Sequence, residues 1–266
     1  MSELEFLNAL RVEMVRHREL RPETRRHELF QTSTIDALLG GAFDGDVSLS
    51  EILQHGDLGL GTLNGLDGEL IVIDGHAWKA NRDCRLIRAP GASRTPYAVV
   101  VPFSPGPPVT VRGPLQYVAL GQALGHRLEA TISPLAIRID GRFEHVRVRS
   151  VAKQRRPYPP LAEALAQQRI SDLHDVPGTM VGFGFPDALD GIEMTGWHLH
   201  FASDARTRGG HVLDFALRDG IAHLDDATEL QVELPPAVDV HDQAVPIRTR
   251  CDGSRAMASA NRAGLA

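Results

Sequence analysis

The chain has 266 residues, 42% hydrophobic and 23% charged, enough length and apolar content for one large core or two smaller ones. A formal net charge of −6 leaves no basic footprint for nucleic acid, and two cysteines, Cys84 and Cys251, support neither a disulfide framework nor a thiolate metal site. No stretch approaches the roughly 20 apolar residues of a membrane span, and the acidic start Met1-Ser2-Glu3-Leu4-Glu5 is unlike a secretory leader, so the expected setting is the cytoplasm.

Residues 1–28 are rich in Glu, Arg and Leu, with Leu7, Leu10 and Met14 at helical spacing, which predicts an N-terminal helical arm. Gln31-Thr32-Ser33-Thr34 then offers caps for a short helix through Ile35, Leu38 and Leu39, closed by Gly40-Gly41. Ser48, with Glu51 three positions on, forms a capping-box pattern and starts a second short helix ending near His55. Strands dominate thereafter. Asp74-Gly75 and Asp140-Gly141 each separate alternating apolar runs and predict hairpin turns. On the return strand after Asp140-Gly141, Val146 and Val148 face one side while His145, Arg147 and Arg149 face the other. The segment Arg155-Arg156-Pro157-Tyr158-Pro159-Pro160 reads as a connection, 161–170 as a helix, and the Ala/Ser/Gly/Arg-rich end from Cys251 as a loose tail. The expected fold class is α+β: two β-rich subdomains, 29–155 and 156–250, with an arm at 1–28 and a tail at 251–266.

The chemistry concentrates in His198-Leu199-His200 and His211. Trp197, Leu199 and Phe201 alternate with the first two histidines, so both imidazoles share one face of a strand. A polar turn ending in Gly209-Gly210 lets a hairpin bring His211 beside them. Three neutral imidazoles with a coordination position left over suit a catalytic zinc, although iron, nickel and copper accept the same ligands. Glu69 alternates with Ile71 and Ile73 on a partly buried strand, where a carboxylate is costly unless paired, and this makes it a candidate acid or ligand. The preceding glycine-rich run from Gly59 to Gly68 lacks the Lys-Ser/Thr pair of a phosphate loop and reads as tight turns.

Several segments together resemble α-acetolactate decarboxylase: Gln31-Thr32-Ser33-Thr34, Gly61-Thr62-Leu63-Asn64-Gly65-Leu66-Asp67-Gly68-Glu69, Thr95-Pro96-Tyr97-Ala98-Val99-Val100, Tyr158-Pro159-Pro160-Leu161 and the His198/His200/His211 block. The resemblance spans roughly residues 29 to 235. It implies a metal-dependent lyase that converts 2-acetolactate to acetoin and carbon dioxide, with zinc (Zn2+) between two β-rich parts and a homodimeric assembly. Carried over position by position, the metal ligands fall on His198, His200 and His211, the catalytic residues on Glu69 and Arg149, and the threonine near the substrate on Thr62. In that scheme zinc is the Lewis-acid electron sink, Arg149 binds the substrate carboxylate and Glu69 moves the proton. One departure stands out. The family usually carries a glutamate near its C-terminus that can approach the metal, whereas no glutamate follows Glu233 here and Asp252 has a shorter arm, so that element is left unassigned. Two other readings are a cupin-like iron dioxygenase, with Asp204 as its acid, and a non-catalytic small-ligand-binding protein on the same scaffold.

Overall fold

In the computed structural model, residues 10–21, 25–120, 123 and 133–234 are described. In chain order the strands are β1 (Arg11–Arg16), β2 (Glu28–Thr32), β3 (Val47–Ser48), β4 (Leu58–Thr62), β5 (Glu69–Ile73), β6 (His76–Ala80), β7 (Leu86–Arg88), β8 (Arg94–Thr95), β9 (Tyr97–Val101), β10 (Val109–Gln116), β11 (Leu135–Ser150), β12 (Arg169–Phe185), β13 (Gly196–Ser203), β14 (Gly209–Asp226) and β15 (Glu229–Leu234). Eight of them form a large sheet in the order β1-β15-β2-β9-β4-β5-β6-β7, and five form a smaller one in the order β10-β14-β11-β12-β13. Among the described residues the α-helices are short, at Ile35–Leu39, Leu49–His55, residues 117–120 and Leu161–Leu165, so the fold is mostly β.

Local chemistry explains the helices and one hairpin. The Thr34 hydroxyl caps the first helix by accepting from the Ala37 amide. Ser48 and Glu51 close the capping box at the second, with the Ser48 amide donating to Glu51 at 2.8 Å. Asp74 and Gly75 take φ of 51° and 68°, the left-handed pair that joins β5 to β6 in a tight hairpin.

Four expectations are corrected. Where a helical arm is predicted, Arg11–Arg16 is a strand paired in parallel with β15, followed by a 3-10 turn at His17–Glu19; residues 1–9, Leu7 included, lie outside the described residues. The segment carries Val12 and Val15, and pairing its backbone with β15 outweighs its helical spacing. Asp140-Gly141 is no turn: β11 runs straight through it, and the Asp140 carboxylate binds Arg138 at 2.6 Å and the Thr179 hydroxyl at 2.8 Å. Gly141 is needed for close approach, since a Cβ there would sit 2.5 Å from the Asp219 carbonyl oxygen of β14. Finally, sheet membership changes between β9 and β10, not near residue 155, which falls between two strands of the small sheet; β15 then returns to the large sheet. The predicted helix at 161–170 stops at Leu165 because β12 begins at Arg169. The tail at 251–266 lies outside the described residues.

The large sheet buries Phe30, Leu70, Val72, Ala98 and Val100 on one face, against Leu49 and Ile52 of the second helix. Its other face, which carries Glu69, Thr62 and Tyr97 as cross-strand neighbours, looks toward the small sheet. The small sheet in turn packs Leu199, Phe201, Ile137, Ile139 and Phe215 into its own core on its far side. Both sheets therefore present a buried face to each other. Gly141→Ala is expected to destabilise the protein by roughly 1–3 kcal/mol, read by urea unfolding, because of that close approach; an unaffected or stabilised variant contradicts it.

Candidate metal centre and active site

The small sheet closes on itself at one end. β13 pairs with β12 along its length and with the start of β14, which also pairs with β11. The register sets His200 directly opposite His211, and His211 directly opposite Arg149. Arg149, distant in sequence, is thereby brought beside the histidine pair. His198 joins them from the same face of β13, and the three imidazole centroids lie 5.0, 5.3 and 5.3 Å apart. One ring nitrogen from each of His198, His200 and His211 lies within 4.8 Å of the others.

The electrostatics favour neutral rings. Burial, with Arg149 adding to it, pushes His200 down to about 3, even though the Leu70 carbonyl favours its protonated form. Burial also drives His198 and His211 well below the usual histidine range, and each is further depressed by Arg149 and by neighbouring imidazoles. His200 Nδ1 lies 2.7 Å from the Leu70 carbonyl oxygen, which can only accept, so Nδ1 carries the proton and Nε2 presents a bare lone pair. That lone pair faces His211 Nδ1 at 3.3 Å. His198 Nδ1 is buried without a hydrogen-bond partner.

Glu69 reaches this cluster from the large sheet. Its Oε2 is 3.6 Å from His200 Nε2 and its Oε1 is 3.6 Å from Arg149 Nη1. Desolvation lifts its carboxyl to about 7, against the pull of Arg149. Burial lowers the Arg149 guanidinium from its usual range and Glu69 raises it; a guanidinium nonetheless keeps its charge in a protein. Thr62 stands directly across from Glu69, and its hydroxyl donates to the Gly68 carbonyl at 2.8 Å. His198, His200, His211, Glu69, Arg149 and Thr62 therefore lie at one place. Asp204 does not join them; it is exposed in the turn between β13 and β14.

Two further residues were not singled out for the site. Glu193, fully buried, accepts from the Tyr97 hydroxyl at 2.8 and 2.6 Å and from the Met194 amide at 3.3 Å. Burial lifts Glu193 to about 8, against those two hydrogen bonds. The Tyr97 ring lies nearly parallel to His198, centroids 6.4 Å apart. Tyr97 was visible in the Thr95-Pro96-Tyr97 segment, but nothing in the composition around Glu193 signals a buried carboxyl.

Three neutral, buried imidazoles with an orphaned nitrogen and two nitrogens facing each other fit one cation. Fold and site thus define a mostly β protein with a buried three-histidine centre, capable of holding a metal, flanked by a carboxyl and a guanidinium. The chain belongs to the α-acetolactate decarboxylase family, whose profile matches residues 29–245. It is 40% identical over 209 residues to the α-acetolactate decarboxylase of Methylococcus capsulatus, covering 79% of this chain and 80% of that protein. It is 36% identical to that of Methanosarcina mazei, covering 80% and 74%. The crystal structure of the Bacillus subtilis strain 168 enzyme superposes with a TM-score of 0.77 at 35% identity, covering 81% of this chain and 92% of that one.

The folded Glu193 keeps its proton up to about pH 8, whereas an unfolded glutamate releases it near 4.5. Its contribution to stability is therefore complete below pH 4.5 and is lost as pH rises through about 8. Glu193→Gln removes that loss. In metal-free protein, the Tm of the variant minus that of wild type is expected to increase between about pH 5 and about pH 8; a flat difference contradicts the shift.

Proposed function

We propose that this chain decarboxylates 2-acetolactate to acetoin and carbon dioxide, using a zinc ion held by His198, His200 and His211. The observation that carries the reading is the convergence of Glu69 from one sheet and Arg149 from the other on the three-histidine cluster. His198, His200 and His211 would hold the zinc, which would supply Lewis acidity that lets the substrate ketone accept electron density. The rest of the work belongs to side chains.

Arg149 binds the substrate carboxylate through its planar fork, a contact made strong by burial. When the carbon–carboxylate bond breaks, carbon dioxide leaves uncharged and the electron pair stays on the hydroxyl-bearing carbon. Glu69 delivers a proton to that carbon. Its carboxyl keeps a proton near neutral pH because it is desolvated. The carboxylate left behind sits beside Arg149, which exchanges one anionic partner for another. Thr62 has already used its only hydroxyl proton on Gly68, so it offers the substrate a lone pair, suited to the substrate hydroxyl.

The chain is further proposed to work as a cytoplasmic homodimer on this small-molecule substrate, as the family resemblance implies. Among the described residues, no helix is long and apolar enough to cross a membrane.

The test is release of carbon dioxide and acetoin from racemic 2-acetolactate; metal-replete protein that releases neither refutes the reading. Glu69→Gln is expected to keep its metal while kcat falls by about 100-fold or more. Loss of metal along with activity would instead make Glu69 a ligand. Arg149→Lys retains charge but loses the fork, so kcat/KM should fall by about 10–100-fold; near-normal turnover excludes the carboxylate-binding role.

A further inference from the structure

The three histidines are not held alike. His200 is oriented by the Leu70 carbonyl, and His211 lies between direct partners on two strands, Arg149 and His200. His198 makes no hydrogen bond through Nδ1, and its ring lies nearly parallel to that of Tyr97, centroids 6.4 Å apart. Tyr97 in turn is held by a buried carboxyl whose position is itself over-determined. Glu193 belongs to the segment that leads into β13, and its own amide donates to the Leu189 carbonyl. The preceding residues are tied to the first helix and to β2: the Ile35 amide and Gln31 Nε2 both donate to the Ile192 carbonyl, and the Asp36 amide donates to that of Gly191.

Tyr97 also lies in the same cross-strand row of the large sheet as Thr62 and Glu69. The Tyr97–Glu193 contact therefore joins the row that carries Glu69 to the segment that delivers His198. Both polar groups are fully desolvated, and a lone buried carboxyl or phenol is costly, so each needs the other in place.

We propose that Tyr97 and Glu193 are positioning residues for the metal centre: together they fix the His198 ring and the separation between the histidine strand and the Glu69 strand, and so set metal affinity. The proposal rests on the reading that the three histidines hold a metal. It predicts a graded pattern. Tyr97→Phe keeps the ring but cuts the link to Glu193, and Glu193→Ala removes the acceptor; each should weaken metal binding by about 10–100-fold, the usual size of an outer-contact effect on a histidine site. Glu193→Gln keeps an oxygen acceptor for the tyrosine and should restore affinity to near wild type.

The experiment is Co2+ binding measured by chelator competition, with the visible d–d spectrum of the loaded protein recorded alongside, for wild type and the three variants. Thermal unfolding of the metal-free forms checks that each is folded. Weakened affinity and an altered spectrum in Tyr97→Phe and Glu193→Ala, with both restored in Glu193→Gln, support the proposal. If Glu193→Ala does not fold, Tyr97→Phe against Glu193→Gln carries the same comparison. Unchanged affinity and spectrum in Tyr97→Phe overturn the positioning role while leaving the metal reading intact. Wild-type protein that takes up no Co2+ overturns both.

Discussion

The site depends on one hydrogen bond between the two sheets, from His200 Nδ1 to the carbonyl of Leu70 at 2.7 Å. It fixes the tautomer of His200, and with it the lone pair offered on Nε2. The acceptor is the backbone of the residue next to Glu69. The contact that orients the imidazole therefore also fixes its distance from the carboxyl, and neither can shift without moving the strand that carries the other. Register does the rest, by pairing His200 with His211 and His211 with Arg149.

A buried site of this composition is costly without a ligand. Three imidazoles are held neutral, a guanidinium stays charged, and two glutamates are desolvated enough to carry protons near neutral pH. The charged and desolvated groups oppose stability in an apolar interior, and the imidazoles, Glu69 and Arg149 become useful once a cation and an anionic substrate enter. The surrounding structure is well packed. Each sheet has its own apolar core on the side away from the site, so the two polar faces meet between layers already fixed by packing.

Much of this was legible in the sequence wherever local chemistry decided the outcome. The alternation of Trp197, Leu199 and Phe201 set His198 and His200 on one face, and the Ser48–Glu51 box and the Asp74-Gly75 turn form as their residue types require. Sequence reading went astray where a distant strand decided. Asp140-Gly141 has the same residues as Asp74-Gly75 but lies flat, because β12 and β14 flank it and the glycine admits a backbone oxygen of β14. β1 is a strand because β15, from the far end of the described chain, pairs with it. The neighbourhood of Arg149 and His211 is a matter of register, which no local spacing encodes, and only the family resemblance connected them. Glu193 was missed for the same reason. Its partner is Tyr97, a residue of the large sheet distant in sequence.

The central claim is that the histidine cluster, Glu69 and Arg149 form one metal-dependent site. It is tested most directly by titrating Zn2+ into chelator-treated protein while following bound metal and acetoin formation together. The account predicts that both rise in parallel and saturate at about one metal per chain, as three ligands per chain around one ion require. Full turnover in metal-free protein, or metal uptake to that level with no acetoin formed, would contradict it.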